Sequence, residues 1–326
     1  MWFRHQTACI FRSVKPDAVL AFAIPAACMA VLAEAFFRTE YADADATAAC
    51  EFDASSNLIK PHHVRELETK GIVVIENAVT ATTLRGARSN IRDFQKEGSI
   101  WTNTRVGGFA PSGNDPDVRQ DLIAWVRSSN VSDDEASTRS HHVETQGSLL
   151  IVQDKNNRQE NSPLGKDLLY SIQILRGIPF ALEQCGYSAS KNHRVPRQCQ
   201  LAMYPGNGSA SYERHLDQCD ASVYDLGILE WLRLSDYRER AITTILYLNE
   251  PNRPESHGGA LRCWVARDID TKRDNKNRNE KDDFRPPFDV KPTGGTMVIF
   301  QSGKVDHKVL PSTEERFALT NWVASS

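Results

Sequence analysis

The sequence predicts a mainly β domain with flanking helices, and three observations lead there. Short runs rich in β-branched and aromatic residues recur through the second half of the chain, each bounded by glycine, proline or asparagine. The first half carries stretches with apolar residues at helical spacing. The polar residues best suited to hold a metal ion, His215, Asp217 and His307, fall beside the strand-like runs and not the helical ones.

Taken in order, Leu58 to Lys70 and Ala81 to Glu97 have helix-compatible patterns flanking a strand over Gly71 to Glu76. The polar, glycine-containing run Asn103 to Asp117 reads as a loop. Ser129 to Asn161 is polar and acidic but contains Leu149-Leu150-Ile151-Val152, a short added strand. Leu164 to Cys185 has helical spacing and predicts a support helix outside the sheet. Ala241 to Asn249 predicts a buried strand, stopped by Glu-Pro-Asn-Arg-Pro. His257-Gly258-Gly259 is a glycine turn feeding a strand through Trp264, and Gly294-Gly295 leads into another at Thr296 to Phe300. Between Trp264 and that strand, Ala266 to Arg285 mixes lysine, arginine, aspartate and asparagine, the pattern of a solvated loop. In the last strand, Arg316 to Val323, alternation puts Arg316, Ala318, Thr320 and Trp322 on one face and Phe317, Leu319 and Val323 on the other.

The chemistry is carried by few residues. In a strand, His215 and Asp217 would point to the same side, so an imidazole and a carboxylate can grip one ion while His307 closes the set. Two histidines and one carboxylate leave coordination positions open, which among first-row ions is typical of non-haem Fe(II) oxygenases and unlike closed, cysteine-rich zinc sites. Arg316 adds an always-charged fork that can hold the far carboxylate of a dicarboxylic co-substrate, for which 2-oxoglutarate is the obvious choice. A phenol at Tyr247 on a buried strand needs a partner, and a ligand carboxylate is a good one. Tyr204 adjoins the turn sequence Pro205-Gly206-Asn207-Gly208, which suits either a cavity mouth or a surface loop. From composition alone, His-x-Asp also fits a polar pair on a loop, Arg119 and Asp121 a solvated surface pair, Trp125 an anchor on an amphipathic helix, and Leu261 a core leucine.

These pieces resemble the prolyl 4-hydroxylases of the iron and 2-oxoglutarate class, and most closely the Egl-nine type that hydroxylates hypoxia-inducible factor. The resemblance rests on Met203-Tyr204-Pro205-Gly206-Asn207-Gly208, Arg214-His215-Leu216-Asp217, Ile245-Leu246-Tyr247-Leu248-Asn249, Gly258-Gly259-Ala260-Leu261-Arg262, Asp306-His307-Lys308-Val309 and Arg316 to Trp322. It spans about His62 to Val323, with weaker similarity at Lys70 to Asn77 and Asp117 to Trp125. The collagen-type branch usually has lysine where this chain has Arg316, which favours the Egl-nine branch.

The resemblance implies a double-stranded β-helix (jelly-roll) core over 55–326, preceded by an N-terminal segment over 1–54. It implies Fe(II) held by His215, Asp217 and His307, and 2-oxoglutarate held by Arg316 with Tyr204, Tyr247 and Thr320 and packed against Leu261. Arg119, Asp121, Trp125 and Arg240 match positions that contact a proline-containing peptide. O2 is the second co-substrate and L-ascorbate the supporting reductant, in an oxygen-sensing role. The long interval between Asp217 and Ala241, where Val223 to Tyr237 would add a short helix, departs from the Egl-nine pattern, as do Ser129 to Asn161 and Ala266 to Arg285. These departures leave the protein substrate open: a collagen-like, Skp1-like or non-proline target remains, as does a barrel that binds 2-oxoglutarate without turnover.

At 326 residues and a net charge of -3 the chain can bury a full core and gives no reason to expect nucleic acid. Residues 18–37 are nearly continuously apolar and follow Arg4, Arg12 and Lys15, which fits a signal sequence, a signal anchor or an organelle-targeting core, with membrane association through that stretch. Alanine dominates it, Pro25 interrupts it and Glu34 lies near its end, so as a membrane span it is weak. Beyond residue 50 only Cys185, Cys199, Cys219 and Cys263 remain, without paired spacing, which favours a reducing compartment. Family resemblance therefore points to cytoplasm and nucleus, the N-terminus to an organelle or the endoplasmic reticulum membrane.

Overall fold

A computed structural model describes residues 55–97, 101–103, 119–130, 145–146, 149–154, 165–188, 193–196, 198–218, 239–266 and 284–325. The apolar stretch 18–37, the loop 104–117, the short helix expected over 223–237 and most of the two insertions lie outside these residues. Among the described residues, no helix is long and apolar enough to cross a membrane.

The chain enters through helix α1, Pro61–Lys70. The helix starts at Pro61 and not at Leu58 because a residue before proline is pushed toward extended backbone, and Lys60 has φ -124° and ψ 158°. It ends where Gly71, at φ 76°, turns its N–H back to the Leu67 carbonyl. Strand β1, Ile72–Ile75, follows at once. Helix α2, Ala81–Glu97, has the predicted bounds and is capped by the Thr80 hydroxyl, which accepts from the Thr83 N–H at 3.1 Å. Helix α3, Lys166–Gln184, carries Pro179 in its interior and is buried along most of its length.

Two sheets form the rest. The larger runs in the order β1, β12 (Met297–Gln301), β9 (Arg240–Tyr247), β14 (Arg316–Ser325), β7 (Gln198–Tyr204), β3 (Leu122–Asn130), β5 (Leu149–Asp154) and β4 (Thr145–Gln146). Short strands β2 (Thr102–Asn103) and β6 (His193–Arg194) add to β3 and β14. The smaller sheet runs β11 (Phe288–Val290), β10 (Leu261–Val265), β13 (Val305–Val309) and β8 (Tyr212–His215). Pairing is antiparallel except between β3 and β5. This is the two-sheet jelly-roll architecture.

Period-two alternation divides the interior into two cores. Cys199, Leu201, Met203, Ile242, Leu246, Met297, Ile299, Phe317, Leu319 and Val323 point outward from the large sheet and pack with Leu84, Ile91, Ile172 and Leu175 of α2 and α3. Their neighbours Ala202, Tyr204, Ile245, Tyr247, Val298, Phe300 and Ala318 point the other way and pack on Leu261, Cys263, Val305 and Val309 of the small sheet. The strand Arg316 to Val323 thus divides its side chains between the faces as its alternation requires. Burying an aliphatic side chain stabilises by about 1.5–3 kcal/mol, so a one-residue slip in β14 would lose both cores at once.

Two readings from composition are corrected. Trp125 lies on strand β3 and not on a helix, because Ala124 and Val126 fill the outer core from alternate positions while Trp125 faces inward. Arg119 and Asp121 are not a solvated pair: Asp121 is buried, and Arg119 lies against β8, bridged to Tyr212. The added strand at Leu149 is present and extends to Asp154.

Candidate active site

The two sheets enclose one end of the inner face, and there the metal-ligating types converge. His215 stands at the end of β8 directly opposite His307 on β13. Strand β8 stops at His215, so Asp217 reaches the same point from the bend beyond it and not by strand alternation. His215 Nε2 lies 3.6 Å from Asp217 Oδ1 and His307 Nε2 lies 3.8 Å from Oδ2. One ligand atom from each residue lies within 4.8 Å of the others, a spacing that one ion can satisfy.

Both rings are held by their far nitrogens. His215 Nδ1 is 2.7 Å from the Glu213 carbonyl oxygen and His307 Nδ1 is 3.2 Å from that of Val305. An N–H donating there puts the proton on Nδ1 and leaves each Nε2 lone pair facing the shared point. Burial, reinforced by His215, lowers the His307 pKa to about 4 against the pull of Asp217, so this ring is neutral near pH 7. Burial opposes ionisation of Asp217, but His307, His215 and Arg240 outweigh it and hold the carboxyl below its ordinary range. Thr243 Oγ1 donates to Asp217 Oδ2 at 2.7 Å and lies 2.9 Å from Ser302 Oγ, so Ser302 donates in turn to Thr243.

A cavity of about 170 Å³ opens from this point, room for a small molecule and not just one water. His215, Asp217, His307, Tyr204, Leu261, Arg316, Thr320, Arg119, Trp125 and Arg240 all line it. Arg316 is buried, and among the described residues no carboxylate pairs with it. Its Nε donates to the Gly259 carbonyl at 2.8 Å, and its Cζ lies 4.8 Å from the Tyr204 ring and 4.9 Å from the Tyr247 ring. Tyr247 stands beside Arg316, outside the cavity lining, with its hydroxyl buried and without a hydrogen-bond partner of good geometry among the described residues. Burial pushes the Tyr247 phenol up to about 12, opposed by Arg316, and burial likewise raises Tyr204, so both remain donors near pH 7. A buried cation and a buried unpartnered phenol beside a set of metal ligands fit a carboxylate-bearing ligand that also reaches the ion.

The opposite wall is aromatic and cationic. Trp125 and Trp322 have ring centroids 6.1 Å apart, and Arg240 Cζ lies 4.3 Å from the Trp322 ring. Arg119 Nη2 donates to Asp121 Oδ2 at 2.8 Å and to Gln200 Oε1 at 2.7 Å, and its Cζ lies 4.5 Å from the Tyr212 ring, which stacks on His215 at 3.7 Å. Asp121 supports Arg119 from behind without reaching the cavity.

Sequence reasoning brought all twelve site residues to this region but missed Gln200, Tyr212, Thr243 and Ser302. Counting back by two from Tyr204 and Tyr247 finds Gln200 and Thr243. Tyr212 lacks that signal because pairing between β8 and β13 shifts at a bulge between His307 and Val309. Ser302 lies just past the end of β12.

Comparisons with known proteins find the following similarities. Residues 199–324 match the family described as the 2OG-Fe(II) oxygenase superfamily. A Caenorhabditis elegans protein named hypoxia-inducible factor prolyl hydroxylase is 30% identical over 126 residues, a stretch covering 38% of this chain and 13% of that protein. A Trichoplax adhaerens prolyl hydroxylase, solved with a hypoxia-inducible factor oxygen degradation domain peptide, has a TM-score of 0.50 at 19% identity, covering 83% of this chain and 89% of its own. A Pseudomonas putida prolyl-4-hydroxylase has a TM-score of 0.47 at 21% identity, covering 82% and 98%. Residues 199–324, with the His215, Asp217 and His307 cluster and Arg316 at their centre, are therefore a 2OG-Fe(II) oxygenase domain.

Proposed function

We propose that this protein uses Fe(II), O2 and 2-oxoglutarate to hydroxylate a proline residue in a protein substrate, in an oxygen-sensing role and with L-ascorbate as supporting reductant. The observation that carries this reading is the convergence of three ligand atoms within 4.8 Å beside a buried Arg316 that pairs with no carboxylate among the described residues. The name of the worm relative supports proline as the target.

In this reading His215, Asp217 and His307 hold the iron, with the two rings fixed by the Glu213 and Val305 carbonyls and the carboxylate by Thr243. Arg316 takes the distal carboxylate of 2-oxoglutarate, Tyr204 and Thr320 offer hydroxyls from the cavity wall, and Tyr247 offers its hydroxyl from beside Arg316. Leu261, Ala202, Ile245 and Ala318 line the cavity with apolar surface and keep bulk water away. Bound iron supplies the redox chemistry, by which 2-oxoglutarate and O2 give succinate, carbon dioxide and one oxygen atom inserted into a substrate C–H bond. Trp125, Trp322 and Arg240 face the open side, where a peptide would place its proline ring against an indole, and Arg119 anchors that wall. Family resemblance favours the cytoplasm and nucleus, and the apolar stretch 18–37 favours the alternative, a membrane or organelle.

Anaerobic reconstitution with Fe(II) and 2-oxoglutarate tests the site. A weak visible charge-transfer band is expected, lost in His307→Ala. A panel of proline peptides, read by succinate release and a mass gain of one oxygen, tests the substrate. Binding of 2-oxoglutarate without turnover on any peptide or protein extract would turn the reading toward a scaffold.

A further inference from the structure

We infer that Arg253 is a positioning residue for Arg316, and through it sets the affinity of the domain for its dicarboxylic co-substrate. The inference rests on the reading that Arg316 binds the distal carboxylate of 2-oxoglutarate.

Arg316 is the first residue of β14, so its guanidinium is aimed by the irregular segment that precedes it, residues 311–315. That segment is held by backbone bonds to both neighbouring turns: Gly259 N–H to Pro311 O at 2.8 Å, Thr313 N–H to His257 O at 3.0 Å, and Gly208 N–H to Ser312 O at 2.9 Å. One side chain reaches three more of its acceptors. Arg253 Nη1 donates to Glu315 O at 2.8 Å, and Nη2 donates to Ser312 Oγ at 2.8 Å and Glu314 O at 3.1 Å. Ser312 Oγ in turn lies 2.6 Å from Glu314 O, to which it donates. A planar fork with several fixed donors can bind successive backbone carbonyls, and an ammonium on a flexible stem cannot reproduce that set.

The grip matters because the space around Arg316 is tight. Its Nε donates to Gly259 O, and a Cβ at Gly259 would sit 2.9 Å from Arg316 Cδ. A Cβ at Gly206 would sit 2.6 Å from Glu314 Cα. A loop wedged between two glycine turns has few alternative positions while Arg253 holds it, and more when that strap is cut. Arg253 also stands close enough to Arg316 that burial and this second cation lower its pKa, so its carbonyl acceptors hold it in place against repulsion. Motif spacing gives no hint of this residue, because it lies in the breaker cluster Glu-Pro-Asn-Arg-Pro.

The test is calorimetric titration of 2-oxoglutarate into the full chain loaded with Mn(II), which binds the co-substrate without turnover. Misplacing a binding group by an ångström can cost up to about a hundredfold, and a loosened loop should cost about tenfold. Arg253→Ala should therefore weaken 2-oxoglutarate about tenfold while Mn(II) affinity stays unchanged, with faster amide exchange over residues 313–317. Arg253→Lys should remain close to the alanine variant. Ser312→Ala, which removes one rung only, should move affinity in the same direction by less, and it provides the measurement if Arg253→Ala does not fold. Wild-type affinity in Arg253→Ala, or full recovery in Arg253→Lys, overturns the inference. If Arg316→Ala keeps wild-type affinity, the underlying assignment of Arg316 fails instead, and the two failures are distinct.

Discussion

His215 and His307 occupy directly opposed positions on neighbouring antiparallel strands, with ring centroids 4.2 Å apart and each Nδ1 turned to a backbone carbonyl. Two of the three candidate metal ligands are thus built into a strand pair and depend little on long flexible side chains. In the proposed reading, loss of either ring removes a ligand, and among the described residues the cluster holds only His215, Asp217 and His307. His307→Ala and Asp217→Asn should each abolish measurable Mn(II) or Fe(II) binding by calorimetry, while the melting curve of the metal-free protein keeps a single cooperative transition.

Thr243 is expected to matter without touching the ion. Its hydroxyl donates to Asp217 and is itself supported by Ser302. Partners of this kind typically contribute 10- to 100-fold to metal affinity, so Thr243→Val, which keeps the shape and removes the donor, should weaken Mn(II) binding by about tenfold or more. Ser302→Ala should have a smaller effect of the same sign. Unchanged affinity in Thr243→Val would show that Asp217 is oriented by its backbone alone.

Arg316 should separate co-substrate binding from metal binding. Arg316→Ala is expected to raise the 2-oxoglutarate concentration needed for half-maximal turnover by at least tenfold, since a charge-assisted bond is worth about 1.5–3 kcal/mol and each 1.4 kcal/mol is a factor of ten. Arg316→Lys should recover part of this, because an ammonium supplies charge without the bidentate fork. The Mn(II) affinity of both variants should match the parent.

The Arg119 and Asp121 pair is buried, with side-chain exposures of 13% and 0%. Breaking a buried pair by removing one partner costs about 3–5 kcal/mol, against about 0–1 kcal/mol for a surface pair. Asp121→Ala should therefore lower stability by several times more than Glu213→Ala, which breaks the half-exposed pair with Lys308. Denaturant unfolding of the two variants makes the comparison, and equal losses would contradict the burial of Asp121.

The targeting role proposed for residues 18–37 is read by location. Residues 1–54 fused to a fluorescent protein should carry it to an organelle or membrane, and the fusion lacking 18–37 should be diffuse.

Much of the fold was legible because alternation is a local property. Helix α2 and strands β9, β12 and β14 follow directly from spacing, and the alternation of β14 gives the same two faces that the structure shows. The convergence of His215, Asp217, His307 and Arg316 on one cavity was legible because few residue types suit that chemistry. From composition Trp125 fits a helix, because a short apolar run such as Leu122 to Val126 suits a helix as well as a strand, and tertiary pairing with β5 and β7 decides for the strand. Asp217 joins the cluster by a different local route from the one its spacing suggests, since a bend and not a strand brings it round. Thr243, Ser302 and Arg253 were hidden because their partners are 26, 59 and 62 residues away in the chain, a separation that spacing rules do not see.

The division of the large sheet between two interiors limits how such a pocket can change. Along β14, positions 318, 320 and 322 face the cavity, whereas 317, 319 and 323 belong to the helix-backed layer. A new substrate preference can be selected at every second residue with little threat to folding, while changes at the intervening positions alter foldability first. Libraries built on this scaffold should therefore randomise alternate codons of the last strand.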